Sequence, residues 1–149
     1  MTVVPYKDKT ATKREQIAEM FDNVSSNYDF LNHFLSAGID FYWRKRAIKL
    51  LRAEKPQTIL DIATGTGDFA IEALKLNPTK IIGVDISEGM LAVGREKIKK
   101  LGMENVIELR GGDSTNLLLD SNSFDAVIAS FGVRNFENLL AGLTEMCRV

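Results

Sequence analysis

Residues 58–69, TILDIATGTGDF, constrain the fold of this chain more than any other stretch. The run up to Ile62 is short, apolar and rich in β-branched residues, which is typical of a parallel strand buried on both faces. Gly65 and Gly67 then permit a tight turn, and apolar residues at three-to-four spacing from Phe69 onwards indicate a helix. The stretch therefore predicts a strand, a turn and a helix whose N–H groups face a nucleotide ligand.

The glycine turn by itself fits more than one ligand. Gly65, Gly67 and Ala70 also satisfy the dinucleotide-binding pattern G-x-G-x-x-G/A, and Asp85 follows at the spacing that this pattern expects for an acid. An ordinary connection between a strand and a helix, with no ligand, has the same appearance. The remaining sequence must distinguish between these interpretations.

Strands and helical patterns alternate along the rest of the chain. Strands are predicted at four places, residues 58–62, 80–85, 105–110 and 126–130. Helical patterns follow the first, second and fourth strands, and two more, from Lys13 and from Arg44, precede the first strand. This order predicts an α/β fold with a doubly wound parallel sheet, in which residues 1–55 form an N-terminal helical cap and residues 56–149 the ligand-binding domain.

Composition restricts the class of protein. A chain of 149 residues, 45% of them hydrophobic, is long enough for one ordinary domain with a core. The net charge of −1 gives no overall field that would favour nucleic acid. Cys147 is the only cysteine, which excludes an internal disulfide and fits a reducing, cytoplasmic setting. No apolar run approaches the roughly 20 residues of a membrane-spanning helix, and no metal site is expected.

The aromatic segment at residues 28–43, YDFLNHFLSAGIDFYW, allows two interpretations. Its helices cover one side of the sheet, or they form the apolar wall of a binding pocket with Tyr28, Asp29, Asn32 and His33 as its polar points. Composition alone favours the first interpretation. A lone helical histidine such as His33 is more often solvated or satisfied in the structure than catalytic.

All four predicted strands end in polar residues, namely Asp61, Asp85, Asp113 with Ser114, and Ser130. Ligands of doubly wound sheets bind outside the carboxyl ends of the strands, so these side chains should meet at one site. Asp85 can accept hydrogen bonds from both hydroxyls of a ribose, and Asp113 lies where an adenine would end. The glycine turn lets Thr66 and Gly67 approach the other end of the ligand. Carboxylates stabilise a sulfonium or ammonium group and repel a pyrophosphate, which favours a positively charged adenosine ligand over NAD.

Several motifs carry a resemblance to known enzymes. DIATGTG, followed by VDIS, resembles the S-adenosylmethionine (SAM) methyltransferases of the Rossmann-like class. The segment at residues 28–43, GREKI at 94–98, SFGVRN at 130–135 and the closing EMCRV are similar to the C-methyltransferases of menaquinone and ubiquinone biosynthesis. Ala63 stands where many methyltransferases have glycine, as is usual in the quinone family. The resemblance, which extends from about Ile17 to Val149, implies a Rossmann-like sheet with the strand order 3-2-1-4.

The same resemblance implies methyl transfer from SAM to a ring carbon of a polyprenyl quinol, either demethylmenaquinol or a benzoquinol of the ubiquinone pathway. The cofactor-binding residues that it implies are Thr66, Asp85, Asp113, Ser114 and Ser130, with Asp61, Gly65 and Gly67 shaping the loop. Arg134 and Tyr28 are the candidate catalytic residues, because they could orient the quinol and stabilise its oxyanion.

Two rival functions remain open. An NAD-dependent oxidoreductase could use the same glycine turn, but its fold usually opens at the first strand, whereas a long helical segment precedes it here. A module that binds SAM without turnover is the second rival.

The resemblance also sets expectations about partners. The quinone family continues past Val149 with a Lys-Pro-Gly-Gly turn and further strands, so we expect the outer edge of the fourth strand to be open. The protein should then either self-associate through this edge or be a marginally stable fold that SAM stabilises. A lipid quinol substrate implies a cytoplasmic protein that contacts the inner face of the membrane peripherally. No nucleic-acid partner is expected.

Overall fold

The computed structural model describes residues 11–25, 28 and 39–149. The described helices are α1 (Lys13–Val24), α2 (Ile39–Leu51), α3 (Asp68–Ala73), α4 (Glu88–Lys100) and α5 (Leu139–Arg148). The described strands are β1 (Thr58–Ile62), β2 (Lys80–Asp85), β3 (Ile107–Gly111) and β4 (Ala126–Ala129). The expectations for Asp29, Asn32 and His33 lie outside the described residues.

The four strands form one parallel sheet in the order β3-β2-β1-β4. In the register, Ile59 of β1 lies opposite Ile81 of β2 and Ala126 of β4. This arrangement confirms the predicted fold class and strand order. Because all four strands run in the same direction, the polar residues that end them are brought to one edge of the sheet.

Two apolar clusters cover the two faces of the sheet. Ile59 and Ile81 contribute to one cluster, together with Leu91 and Ile98 of α4. Leu60 contributes to the other, whose buried members are Leu60, Ile62, Ile82, Val84, Leu117 and Val149. Alternate residues of a strand point to opposite faces, so a continuous apolar run is what a strand covered on both sides requires.

Helix α1 begins at a capping box. The Thr12 hydroxyl accepts a hydrogen bond from the N–H of Glu15, and the Glu15 carboxylate accepts one from the N–H of Thr12 at 2.8 Å. The other end of α1 docks on the start of α4, where Asp22 Oδ1 accepts hydrogen bonds from the Ser87 hydroxyl (2.5 Å) and the Gly89 N–H (2.9 Å). Helix α1 therefore lies against the edge of the sheet at which the strands end.

The closing residues of the chain hold the loop that precedes β4. Arg148 donates hydrogen bonds to the carbonyl oxygens of Leu117 (3.0 Å) and Leu119 (2.9 Å). The carbonyl oxygen of Val149 accepts one from the N–H of Phe124 at 3.1 Å. These contacts give the EMCRV motif a structural role.

Element boundaries differ from the predictions where a local turn or cap sets them. β3 starts at Ile107 rather than 105, because the Met103 carbonyl accepts the N–H groups of Val106 and Ile107 and closes a turn there. The sequence pattern predicts that α5 starts at residues 135–137. It starts at Leu139, because the Asn138 side chain accepts the N–H of Ala141 and caps it. Residues Phe131–Asn135 form a 3₁₀ turn before it.

None of the described helices combines the length and the apolar character needed to cross a membrane. The division into a helical cap, residues 1–55, and a ligand-binding domain, residues 56–149, stays a prediction.

Candidate functional site

A cavity of about 570 Å³ lies at the edge of the sheet where the strands end. This volume is within the range of pockets that hold small molecules and cofactors. All of the predicted site residues except Gly67 line it, namely Tyr28, Asp61, Gly65, Thr66, Asp85, Asp113, Ser114, Ser130 and Arg134. The structure thus brings together side chains that are up to 106 positions apart in the sequence.

The glycine turn has the backbone conformation that its sequence predicts. Gly65 and Gly67 have φ angles of +58° and +78°, in the left-handed region that side chains disfavour. The Gly67 N–H donates to the carbonyl oxygen of Thr64 at 3.0 Å, which closes the turn. Gly67 does not line the cavity, and a Cβ atom placed on it would lie 3.5 Å from the Leu109 side chain.

Asp85 joins the glycine turn to the start of α4. Its Oδ2 accepts the N–H of Gly65 at 2.8 Å, and its Oδ1 accepts the N–H of Ser87 at 2.9 Å. Burial raises the pKa of Asp85, and the nearby Asp22 carboxylate raises it further, whereas the backbone hydrogen bonds lower it. A carboxylate has about four acceptor positions, so Asp85 keeps acceptor capacity for ligand hydroxyls. Sequence reasoning assigned Asp85 to a ribose but missed its bond to the turn.

Asp61 is the most deeply buried acid of the site, with 1% of its surface exposed. The Thr64 hydroxyl donates a hydrogen bond to Asp61 Oδ2 at 2.6 Å. Burial raises the pKa of Asp61 from its ordinary 3.8 to about 7; the Thr64 bond and Arg44 oppose this shift, and Asp85 adds to it. A carboxyl group with a pKa near neutrality in a cavity is a common feature of functional sites.

A charged network behind the turn was not predicted from the sequence. Lys97 Nζ donates to Thr66 Oγ1 at 2.9 Å and to Asp68 Oδ1 at 2.6 Å. Arg44 donates to Asp68 Oδ2 at 3.0 Å and also to Asp40. Helices α2, α3 and α4 are thereby connected through the first turn of α3 to the hydroxyl of Thr66. Only the GREKI motif, which contains Lys97, gave a signal for this network.

Helix α1 also contributes to the cavity, although none of its residues was among the predicted site residues. Arg14, Ile17 and Phe21 line it. Arg14 forms an ion pair with Asp113 Oδ2 at 2.8 Å, while Asp113 Oδ1 accepts hydrogen bonds from the N–H and hydroxyl of Thr115. The acid predicted to lie near an adenine is therefore held from two sides.

The two candidate catalytic residues lie at the apolar part of the same cavity. The guanidinium carbon of Arg134 lies 5.6 Å from the centre of the Phe131 ring, a cation–π distance. The Tyr28 ring makes an edge-to-face contact with Phe21, with 5.8 Å between centroids. Their proposed roles toward a quinol stay predictions.

Comparison with known proteins assigns the chain to a family. Residues 9–149 match the ubiE/COQ5 methyltransferase family. The chain belongs to this family. It is 52% identical over 148 residues to a protein of Bacteroides fragilis named demethylmenaquinone methyltransferase, covering 99% of this chain and 60% of that protein. It is 40% identical over 139 residues to the ubiquinone/menaquinone biosynthesis C-methyltransferase UbiE of Geobacter sulfurreducens, covering 92% and 54%.

The chain thus spans about 60% of the length of the first of these relatives. Two solved structures agree with the family's fold. A SAM-dependent methyltransferase from Aquifex aeolicus superposes with a TM-score of 0.57 at 28% identity, over 62% of this chain and 50% of that one. The [4+2]-cyclase SpnF superposes with a TM-score of 0.76 over 99% of this chain and 58% of that one. At 19% identity the second likeness concerns the fold alone.

A close contact links Ala63 to the glycine at position 132. Ala63 has a φ angle of +53°, a conformation that glycine adopts more easily. A Cβ atom placed on Gly132 would lie 2.4 Å from the Cβ of Ala63. Alanine at position 63 therefore requires glycine at position 132, in the SFGVRN motif.

Proposed function

We propose that this chain forms the SAM-binding part of an enzyme that methylates a ring carbon of a polyprenyl quinol. One observation carries the proposal: a cavity lined by Asp61, Asp85 and Asp113, beside a glycine turn, in a chain of the ubiE/COQ5 methyltransferase family. The names of the relatives support a quinol as the substrate.

The residues of the cavity fit SAM. Asp85 keeps acceptor capacity that suits the ribose hydroxyls, and Asp113 with Ser114 suits the adenine end. Asp61 and the turn at Gly65 suit the amino-acid end and its positive charges. The same carboxylates disfavour the pyrophosphate of NAD, because like charges repel strongly in a half-buried site.

SAM supplies, when bound, an electrophilic methyl group on a positively charged sulfur. The protein must then hold the quinol ring in line with that group and favour the deprotonated form of the ring hydroxyl, which makes the neighbouring carbon nucleophilic. Arg134 would stabilise the negative charge on the quinol oxygen, and Tyr28 would orient the ring. Phe131, which is exposed beside Arg134, would provide an apolar surface for the quinol ring.

Calorimetry with SAM, S-adenosylhomocysteine and NAD, each titrated into the same protein, tests the cofactor. We expect SAM and S-adenosylhomocysteine to bind and NAD not to bind. Asp85→Asn keeps the size of the side chain but replaces one acceptor oxygen by a donor, so SAM affinity should fall at least about tenfold. Glu104→Gln, an exposed amide substitution away from the cavity, is the matched control and should bind SAM normally. Binding of NAD alone, or unchanged affinity in Asp85→Asn, would refute the assignment.

SAM binding without turnover is the second candidate, because the chain spans about 60% of a relative that carries the enzyme's name. Mass spectrometry of a demethylmenaquinol analogue incubated with SAM and the protein separates the two functions. A mass increase of one methyl group supports the enzyme, whereas SAM binding with an unchanged quinol supports the module.

A further inference from the structure

The outward face of helix α2 is unusually apolar for a surface helix. Ile39, Trp43 and Leu50 expose 56%, 54% and 73% of their surfaces. With Arg46, they follow one another at the four-, three- and four-residue spacing that places side chains in a single row along a helix. Tyr42, also exposed, begins a second row beside the first. Large side chains concentrated on one exposed face usually mark a surface that contacts a partner.

The same face is positively charged. Lys45 and Lys49 follow Tyr42 in the second row, and Arg46 lies within the first row; all three are exposed. The one acid of the helix, Asp40, is buried and bonds to Arg44 on the inward side. The face therefore concentrates cations, although the whole chain has a net charge of −1.

We propose that this face, formed by residues 39, 42, 43, 45, 46, 49 and 50, docks on the surface of an anionic lipid bilayer. Helices that lie in a membrane interface combine an apolar stripe with neighbouring lysines and arginines, which contact the acyl boundary and the lipid phosphates respectively. Tryptophan and tyrosine favour this same interfacial depth. The charge of the face matches anionic lipid rather than a basic or neutral partner.

The proposed docking face lies next to the cavity. Trp43 belongs to the exposed row and also lines the cavity. The adjacent Arg44 lines the cavity from the inward side of the helix. A bilayer against α2 would therefore lie beside the cavity, so a quinol ring could enter while its prenyl chain stays in lipid. Membrane docking goes beyond the proposed function, since it needs neither SAM nor turnover.

Trp43 is the only tryptophan of the chain, so its fluorescence reports directly on this face. The 149-residue protein is mixed, without SAM, with vesicles of phosphatidylcholine alone or with about 30% phosphatidylglycerol. We expect co-sedimentation and a blue shift of the emission with the anionic vesicles only. Both signals should weaken as salt rises from about 0.05 M to about 0.5 M, because exposed charges are screened.

Variants with matched controls test the named residues. Lys45→Glu/Lys49→Glu should lower partitioning into anionic vesicles at least about tenfold, since each of the two lysines near such a surface contributes a factor of about five. Lys99→Glu/Lys100→Glu makes the same charge change on exposed residues of α4 and should bind as the parent does. Leu50→Ser should also weaken binding, whereas Leu118→Ser, at a more exposed leucine outside the face, should not.

The proposal fails if anionic vesicles leave the Trp43 emission unchanged, or if neutral vesicles bind equally well. It fails too if the control pair loses as much binding as the α2 pair. A blue shift that grows with protein concentration in the absence of lipid would assign the face to a second copy of the chain instead. SAM calorimetry on the same variants keeps the two proposals separate, because loss of vesicle binding with normal SAM affinity refutes only the docking.

Discussion

Asp61 is a buried carboxyl group whose charge state should change the stability of the protein within the physiological pH range. Its folded pKa of about 7 lies above the ordinary 3.8, so the folded state binds this proton more tightly than the unfolded state. The contribution of the protonated Asp61 to the free energy of unfolding is fully present below pH 3.8 and is lost as the pH rises through about 7. Between these two pH values the free energy of unfolding falls by up to ~1.4 kcal/mol per pH unit, which is the limit for one proton.

We predict that Asp61→Asn removes this slope, because the amide cannot ionise. Denaturant unfolding at several values between about pH 5 and about pH 9, without SAM, measures it. The variant should gain stability relative to the parent as the pH rises. Glu104→Gln, an exposed substitution of the same kind, should leave the slope in place. Parallel pH curves for the parent and Asp61→Asn would show that Asp61 ionises normally.

Ala63 and Gly132 should show strong energetic coupling. Gly132→Ala would place two Cβ atoms 2.4 Å apart, and overpacking of this kind typically costs about 1–3 kcal/mol. Ala63→Gly removes the opposing Cβ and also relieves the left-handed backbone, so the double variant should recover most of the loss. Chemical unfolding of the four proteins gives the coupling energy.

Gly111→Ala serves as a control, because its added Cβ would meet only the Glu88 side chain, at 3.6 Å. This change should cost little. Equal losses in Gly132→Ala and in the double variant would contradict the contact between positions 63 and 132.

At the scale of elements, helix α1 is held at both ends. Arg14 pairs with Asp113, and Asp22 accepts hydrogen bonds from Ser87 and Gly89 at the start of α4. A carboxylate at a helix N-terminus is also favoured by the helix dipole. Since α1 lines the cavity, these contacts should stabilise the position of α1 over the cavity.

We predict that Asp22→Ala loosens α1 while the sheet stays intact. Hydrogen exchange should become at least about fivefold faster in residues 13–24, since a charged hydrogen bond contributes more than 1 kcal/mol. Exchange in β1 and β2 should not change. Glu96→Ala, on an exposed position of α4, is the control and should leave α1 protected. Unchanged exchange in α1 would mean that other contacts hold it.

At the scale of the whole molecule, the two edges of the sheet differ. β3 forms one edge, where Glu108 pairs with Lys80 at 3.0 Å and with Arg110 at 2.6 Å. Charges of this kind discourage pairing with another strand. β4 forms the other edge, and its sequence, AVIA, has no charged side chain.

We therefore predict that the 149-residue chain self-associates through β4. Light scattering over a range of concentrations should show a rising average mass. Amide exchange in residues 126–129 should slow as the protein associates, whereas exchange in residues 107–111 at the charged edge provides an internal control and should stay constant. A mass that remains monomeric at high concentration, or protection at β3 instead, would contradict the prediction.

Sequence alone determined the architecture and the position of the cavity. β1 and β2 were predicted with their observed bounds, Thr58–Ile62 and Lys80–Asp85. These features depend on the spacing of apolar residues, which is a property of short stretches. The strand order came from the family resemblance, and the rule that ligands bind where parallel strands end then placed the cavity.

Only the tertiary structure decided how the site is supported. The bonds of Asp85 to Gly65, of Lys97 to Thr66 and of Asp22 to Gly89 join residues 20, 31 and 67 positions apart. No local pattern specifies such partners, because they depend on where packed elements bring distant side chains. The near-neutral pKa of Asp61 has the same origin, since it comes from burial rather than from the identity of the residue. A sequence shows which groups are present, whereas their partners and their solvent exposure follow from the packing of the whole chain.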